Sequence, residues 1–81
     1  MPSGTLKESD EKYLRAAVMN PDPVVTAVEV ADAVGVTQQA AYSKLSGLEE
    51  RGFIRSKGVG SRAKVWWVTD SGKRAYAESQ S

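Results

Sequence analysis

Gln38, Gln39, Tyr42, Ser43 and Ser46 fall mostly on one side of a stretch running from Thr37 to Arg51, and that side carries no carboxylate until Glu49 and Glu50. Amides, hydroxyls and an aromatic ring without negative charge suit contact with base edges and phosphate oxygens. Gln can pair with the N6 and N7 edge of adenine, and a tyrosine ring can lie against a thymine methyl while its hydroxyl reaches a phosphate. Ser43 is small enough for a close approach. Plainer readings stand beside these: paired glutamines are good solvated helix formers, and Tyr42 can pack on Ser46 or on the preceding helix. Other chemistry is excluded. The chain has no Cys and no His, so disulfides, thiolate or imidazole metal sites and His-based catalytic triads are impossible. Gly58-Val-Gly60 is too short to cradle a phosphate, and no helix follows it. The expectation is a non-enzyme with no cofactor and no metal.

The 81 residues carry a net charge of +1, unevenly placed. Residues 1–43 hold three Lys or Arg against six carboxylates, net −3; residues 44–81 hold eight against four, net +4. An anionic partner would therefore meet the second half. The longest apolar run, Val65-Trp-Trp-Val68, is far below the roughly 20 residues of a membrane span, and no basic-then-apolar leader begins the chain. A cytoplasmic protein with no membrane partner is expected.

The elements that must hold the Gln38–Ser46 face are legible from caps and spacing. A short polar segment, Met1 to Leu6, is expected to fray. Ser9, Asp10 and Glu11 open a first helix reaching about Met19, with Tyr13, Leu14, Ala17 and Val18 on one face. Asn20-Pro-Asp-Pro23 is a loop, and Val24-Val25 a short strand or an extended lead-in. Thr26 and Glu29 have capping-box spacing for a second helix over 27–34, ending at Gly35. Thr37 caps the third helix, 38–51, whose seam is Ala41, Leu45 and Leu48; Gly52 stops it. Two helices joined by Gly35-Val36-Thr37 have helix-turn-helix spacing over 27–51, although an αα-hairpin spaces its helices in the same way. Residues 52–57 read as a strand, 58–61 as a turn and 62–69 as a returning strand, giving a hairpin over 53–69. Phe53, Ile54, Trp66 and Val68 are expected inside and Trp67 outside. Lys57, Arg62 and Lys64 surround the hairpin tip, as DNA-binding cations or as charges that protect a sheet edge. A short helix capped by Thr69 or Asp70 ends the chain. The fold class is mainly α with a small β-hairpin (α+β), in one domain over 1–81.

From Val30 to Gly72 the sequence resembles the winged helix-turn-helix domains of MarR-type and related prokaryotic regulators. The resembling residues are Val30-Ala-Asp-Ala-Val-Gly-Val-Thr37, Leu45, Leu48-Glu-Glu-Arg-Gly-Phe-Ile54, Arg62, and Val68-Thr-Asp-Ser-Gly72. Val59-Gly-Ser-Arg-Ala-Lys-Val-Trp-Trp67 is also similar to small haloarchaeal winged-helix proteins, without the acidic surface of a halophile. The resemblance implies a three-helix core, a two-stranded wing and a short C-terminal helix. It implies a transcription regulator bound to double-stranded DNA, with base contacts from Gln38, Gln39, Tyr42 and Ser43. Backbone contacts would come from Thr26, Thr37, Lys44, Ser46 and the wing residues Lys57, Arg62 and Lys64. Arg62 has a second implied role, pairing with a carboxylate to fix the wing's angle. MarR-type regulators dimerise through long helices at both termini; with about 20 residues before the motif and about ten after it, that dimer is expected to be absent or built differently, and their ligand pocket is not expected here. A homodimer through Tyr13, Leu14, Trp67 and Tyr76 is one option. The alternative function is a winged-helix protein-interaction module using the acidic first half and Trp67.

Overall fold

The computed structural model describes residues 8–60 and 63–80. Its order is α1 (Glu8–Met19), α2 (Ala27–Val34), α3 (Gln38–Glu50), β1 (Ile54–Val59), β2 (Ala63–Val68) and α4 (Asp70–Ser79). The expected frayed segment Met1 to Leu6, and Arg62 with it, lie outside the described residues.

The local signals decide the helix ends. Thr26 accepts from the Glu29 amide while the Glu29 carboxylate accepts from the Thr26 amide, completing the capping box of α2. Gly35 ends α2 at φ 86°, and the amides of Gly35 and Val36 both donate to the Ala31 carbonyl. Thr37 caps α3 by accepting from the Ala40 amide at 3.1 Å. Past Arg51, Gly52 turns left-handed at φ 83°, where a side chain would be strained. The Gly52 amide then reaches the Glu49 carbonyl and the Phe53 amide the Leu48 carbonyl. That paired closure is a Schellman motif, and it delivers Phe53 into the core.

β1 and β2 pair antiparallel from Ile54 opposite Val68 to Val59 opposite Ala63. The first strand therefore starts two residues later than expected, because Gly52 and Phe53 are consumed in ending α3. It also runs two residues further, because Gly58 and Val59 join the ladder. Val25 adds one rung to the other edge of β2, exchanging hydrogen bonds of 2.8 Å with Trp66. A two-stranded ribbon is unstable alone, so the inward face of β2 is driven onto the helices. Trp66 is fully buried there with Leu14, Val30, Leu45, Leu48 and Ile54. Its indole N–H has no acceptor among the described residues, at a cost of about 1–3 kcal/mol, so shape rather than hydrogen bonding holds it. Phe53 and Ile54 are inside as expected, while Val68 is only half-buried. Trp67, on the opposite face by alternation, is also half-buried.

The homodimer option is corrected at α1. Tyr13 is 5% exposed and Leu14 0%, because α1 packs against α2, α3, α4 and β2 and spends that face within its own chain. Of the four residues, Trp67 and Tyr76 keep partial exposure.

α4 is bound to the hairpin at one corner. The Thr69 amide donates to the Phe53 carbonyl, its hydroxyl donates to the Gly52 carbonyl at 2.7 Å, and that hydroxyl accepts from the Gly72 amide. Gly72 lies against the Phe53 backbone so closely that a β-carbon would collide with the Phe53 carbonyl and with Val68 Cγ1. Gly72→Ala is expected to destabilise by about 1–3 kcal/mol through overpacking. Gly47→Ala, whose added carbon meets nothing within 4 Å in the middle of α3, is expected to stabilise by about 1 kcal/mol. Thermal unfolding followed by circular dichroism should move the two midpoints in opposite directions, by about 4–8 °C per kcal/mol for a domain of this size.

Candidate nucleic-acid interface

α3 turns Ala41, Leu45 and Leu48 inward, each 0–2% exposed. The other side is thereby delivered to solvent. Gln38, Gln39, Tyr42 and Ser43 are all exposed and line one shallow surface depression. Residues four apart stack on one face of a helix, so the pairs 38 with 42 and 39 with 43 bring four polar groups from two turns onto one patch. Ser46, a turn further on, is half-buried.

Tyr42 is held by β2. Its ring meets Trp66 edge-to-face, with centroids 5.4 Å apart and planes at 86°, an arrangement the ring quadrupoles favour. Lys64 Nζ donates to the Tyr42 hydroxyl at 3.3 Å, and lies 5.4 Å from the Tyr42 ring centroid and 5.1 Å from that of Trp66. Lys64 shares the helix-facing side of β2 with Trp66, and its ladder partner is Gly58, which has no side chain to compete for the space. Lys57 and Arg55 point to the other face of the ribbon, by alternation from Ile54 and Ser56, and both are exposed. Lys57 and Lys64, expected as one cationic tip, are thus split between the two faces. Thr26, Gln38, Tyr42 and Lys64 line a cleft between the starts of α2 and α3 and the base of β2.

Lys44 is placed differently from expectation. Its ammonium is 3.1 Å from Asp10 Oδ1, and Arg51 Nη1 is 3.1 Å from Asp10 Oδ2. Lys44 and Arg51 stand two turns apart on one side of α3, so a single carboxylate from α1 takes both. The ammonium is thus turned toward α1, with 43% of the side chain still in solvent. At the far end of α3, Glu49 accepts from the Ser56 hydroxyl of β1 at 2.8 Å, and Arg51 lies over the Phe53 ring at 4.9 Å. The acidic last turn is engaged by the wing.

Two contributors were not anticipated. Asp10 reads in sequence as an ordinary first-turn acid, and its partners lie 34 and 41 residues away, beyond any local signal. Arg55 could have been found, because it has the same strand parity as Lys57. Among the described residues no group of three potential metal ligands comes together, and no helix is long and apolar enough to cross a membrane.

No family model matches the chain, and no curated protein is similar to it in sequence. Solved structures do share its fold. BpsR of Bordetella bronchiseptica, whose DNA binding is regulated by 6-hydroxynicotinic acid, matches 96% of this chain with a TM-score of 0.82 and 18% identity. A cysteine-to-serine mutant of MarR from E. coli, complexed with operator DNA, matches 93% with a TM-score of 0.81 and 17% identity. The transcriptional regulator BldR of Sulfolobus solfataricus matches 96% with a TM-score of 0.78 and 22% identity. The chain spans 59%, 54% and 55% of those chains, a little over half of each. Among the described residues, four helices and a two-stranded antiparallel hairpin therefore make the winged-helix fold of those structures.

The strength of the Asp10 tie can be measured. Breaking a buried pair costs about 3–5 kcal/mol, but Lys44 and Arg51 keep 43% and 37% of their side-chain surface in solvent, which reduces that sharply. Asp10→Ala is expected to lose about 1–2 kcal/mol in urea unfolding. Lys44→Met should lose less than Asp10→Ala, because Arg51 still covers the carboxylate.

Proposed function

We propose that this chain reads double-stranded DNA as a sequence-specific transcription regulator, with α3 in the major groove and the hairpin on the backbone or in the minor groove. The observation that carries this reading is the carboxylate-free depression formed by Gln38, Gln39, Tyr42 and Ser43, held at the front of α3 by a fully apolar seam. An α-helix fits the major groove, where amides and hydroxyls can tell base pairs apart. Gln38 and Gln39 suit adenine, and Tyr42 and Ser43 reach neighbouring positions. Thr26 and Thr37, at the starts of α2 and α3, place phosphates against the positive ends of two helices. Lys57 and Arg62 supply the wing's sequence-independent attraction, and Ser46 a short backbone contact. Lys44 pairs with Asp10 and keeps 43% of its side-chain surface in solvent, so a phosphate there would exchange one anion for another.

The second reading, a protein-interaction module, has one feature in its favour. Trp67 and the exposed Val24 line a depression with Ala17 and Val18, edged by Asn20, Asp22 and Lys73, away from the Gln38–Ser43 patch. Chemical-shift mapping separates the two. DNA should perturb 38–46 and the wing, whereas a protein partner would perturb α1, Trp67 and α4.

DNA selected from a random pool gives the preferred site; a palindrome would indicate a dimer, and a single short site a monomer. On that site, Lys57→Ala and Arg62→Ala should weaken binding to all sequences alike. Each should flatten the dependence of log K on log salt by about 0.9 for every phosphate no longer neutralised. Gln39→Ala should instead relax discrimination by about 1–3 kcal/mol at one or two positions and leave the salt slope unchanged. Fluorescence anisotropy at several salt concentrations reads both. No salt-sensitive binding by the unmodified protein would sink the proposal.

A further inference from the structure

We infer that Lys64 is a positioning residue rather than a phosphate contact: it makes the Tyr42 hydroxyl an outward-directed hydrogen-bond donor, so that the wing strand sets a base preference on α3. This role rests on the DNA-reading function proposed above and deepens it.

Three constraints meet at Tyr42. Its ring rests edge-to-face on Trp66, which is itself fully buried in the core. Lys64 Nζ lies over both rings and donates to the phenol oxygen. Tyr42 nevertheless remains 44% exposed, on the patch shared with Gln38, Gln39 and Ser43. An ammonium has three donors and no acceptor. A phenol that accepts from it cannot give its own hydrogen back, so that hydrogen points to whatever else approaches. In a major groove it would find the acceptors of guanine (O6, N7), adenine (N7) or thymine (O4). Against the amino group of cytosine it would meet a donor with a donor. Without Lys64 the hydroxyl can rotate and either donate or accept, and this discrimination disappears.

The geometry also explains why the side chain stays inward. Gly58 across the ladder leaves the Lys64 stem room to lie toward α3, and two aromatic faces attract the ammonium, a cation–π contact that strengthens as water is excluded.

The test uses the full chain and the DNA site selected from the random pool, with every base substituted in turn at each position. Lys64→Met keeps the stem and removes the donor; Tyr42→Phe removes the hydroxyl; Lys64→Arg restores a donor. Lys64→Met and Tyr42→Phe should each reduce discrimination against cytosine at the same single position by about five- to tenfold, the worth of one hydrogen bond. The double variant should lose no more than either single one, and Lys64→Arg should recover most of the preference. The salt slope of Lys64→Met should equal that of the unmodified protein. If Lys64→Met instead weakens all sequences equally and lowers the slope by about 0.9, Lys64 is a phosphate contact and the inference is wrong, with the DNA-reading function intact. If the unmodified protein binds no DNA in a salt-sensitive way, both fall together.

Discussion

Burial of Trp66 is the constraint on which the other parts depend. The residue sits on β2, is 0% exposed, and is gripped on its backbone by Val25 from the lead-in to α2. A two-stranded ribbon cannot stand in water by itself, and an 81-residue chain with no disulfide has only a small core to offer. One large ring from the ribbon, buried in the same core as Leu14 of α1 and Leu45 of α3, meets both needs. It also gives the surface its form, because the exposed aromatic of α3 rests on the same indole. The core and the exposed Tyr42 ring share a side chain here, so β2 cannot move far at Trp66 without turning Tyr42.

Around that centre the fold is tied at places far apart in sequence. Asp10 joins the start of α1 to two turns of α3. Thr69 joins the end of the ribbon to the turn that closes α3, with Gly72 admitting the close approach. Ser56 and Glu49 join β1 to the last turn of α3. Each tie is modest in free energy, since most of the charged partners keep contact with water. Their common effect is orientation: all of them lie beside or behind α3, and none occupies its Gln38–Ser43 face. Among the described residues of the ribbon, Arg55 and Lys57 on its outer side are the cations left exposed for an anionic partner.

Much of this was legible in the residues. Caps and stops are local chemistry, so Thr26 with Glu29, Thr37, Gly35, Gly52 and Thr69 marked the helix ends to within a residue or two. Period-two alternation placed Trp66 inside and Trp67 on the other face. The same alternation could have separated Lys57 from Lys64, but a turn assumed at 58–61 hid the parity by ending the first strand too early. Glycine and valine at 58–59 paired in the ladder because β2 offered partners, and no nearest-neighbour signal reports that. Tyr13 and Leu14 show the converse error. An apolar helix face can be covered by its own chain or by a second copy, and the pattern is the same in both cases.

The sequence by itself determined the elements, their order, the seam of α3 and the absence of carboxylates from its opposite side. These follow from backbone preferences and hydrophobic periodicity, which act over a few residues. Only the tertiary structure decided which charges remain available. Lys44 went to Asp10 and Lys64 to Tyr42 and Trp66, because a flexible side chain settles on whichever partner the packed fold brings within reach. Two of the cations expected to bind DNA thus rest on partners within the chain, beside the helix expected to read it.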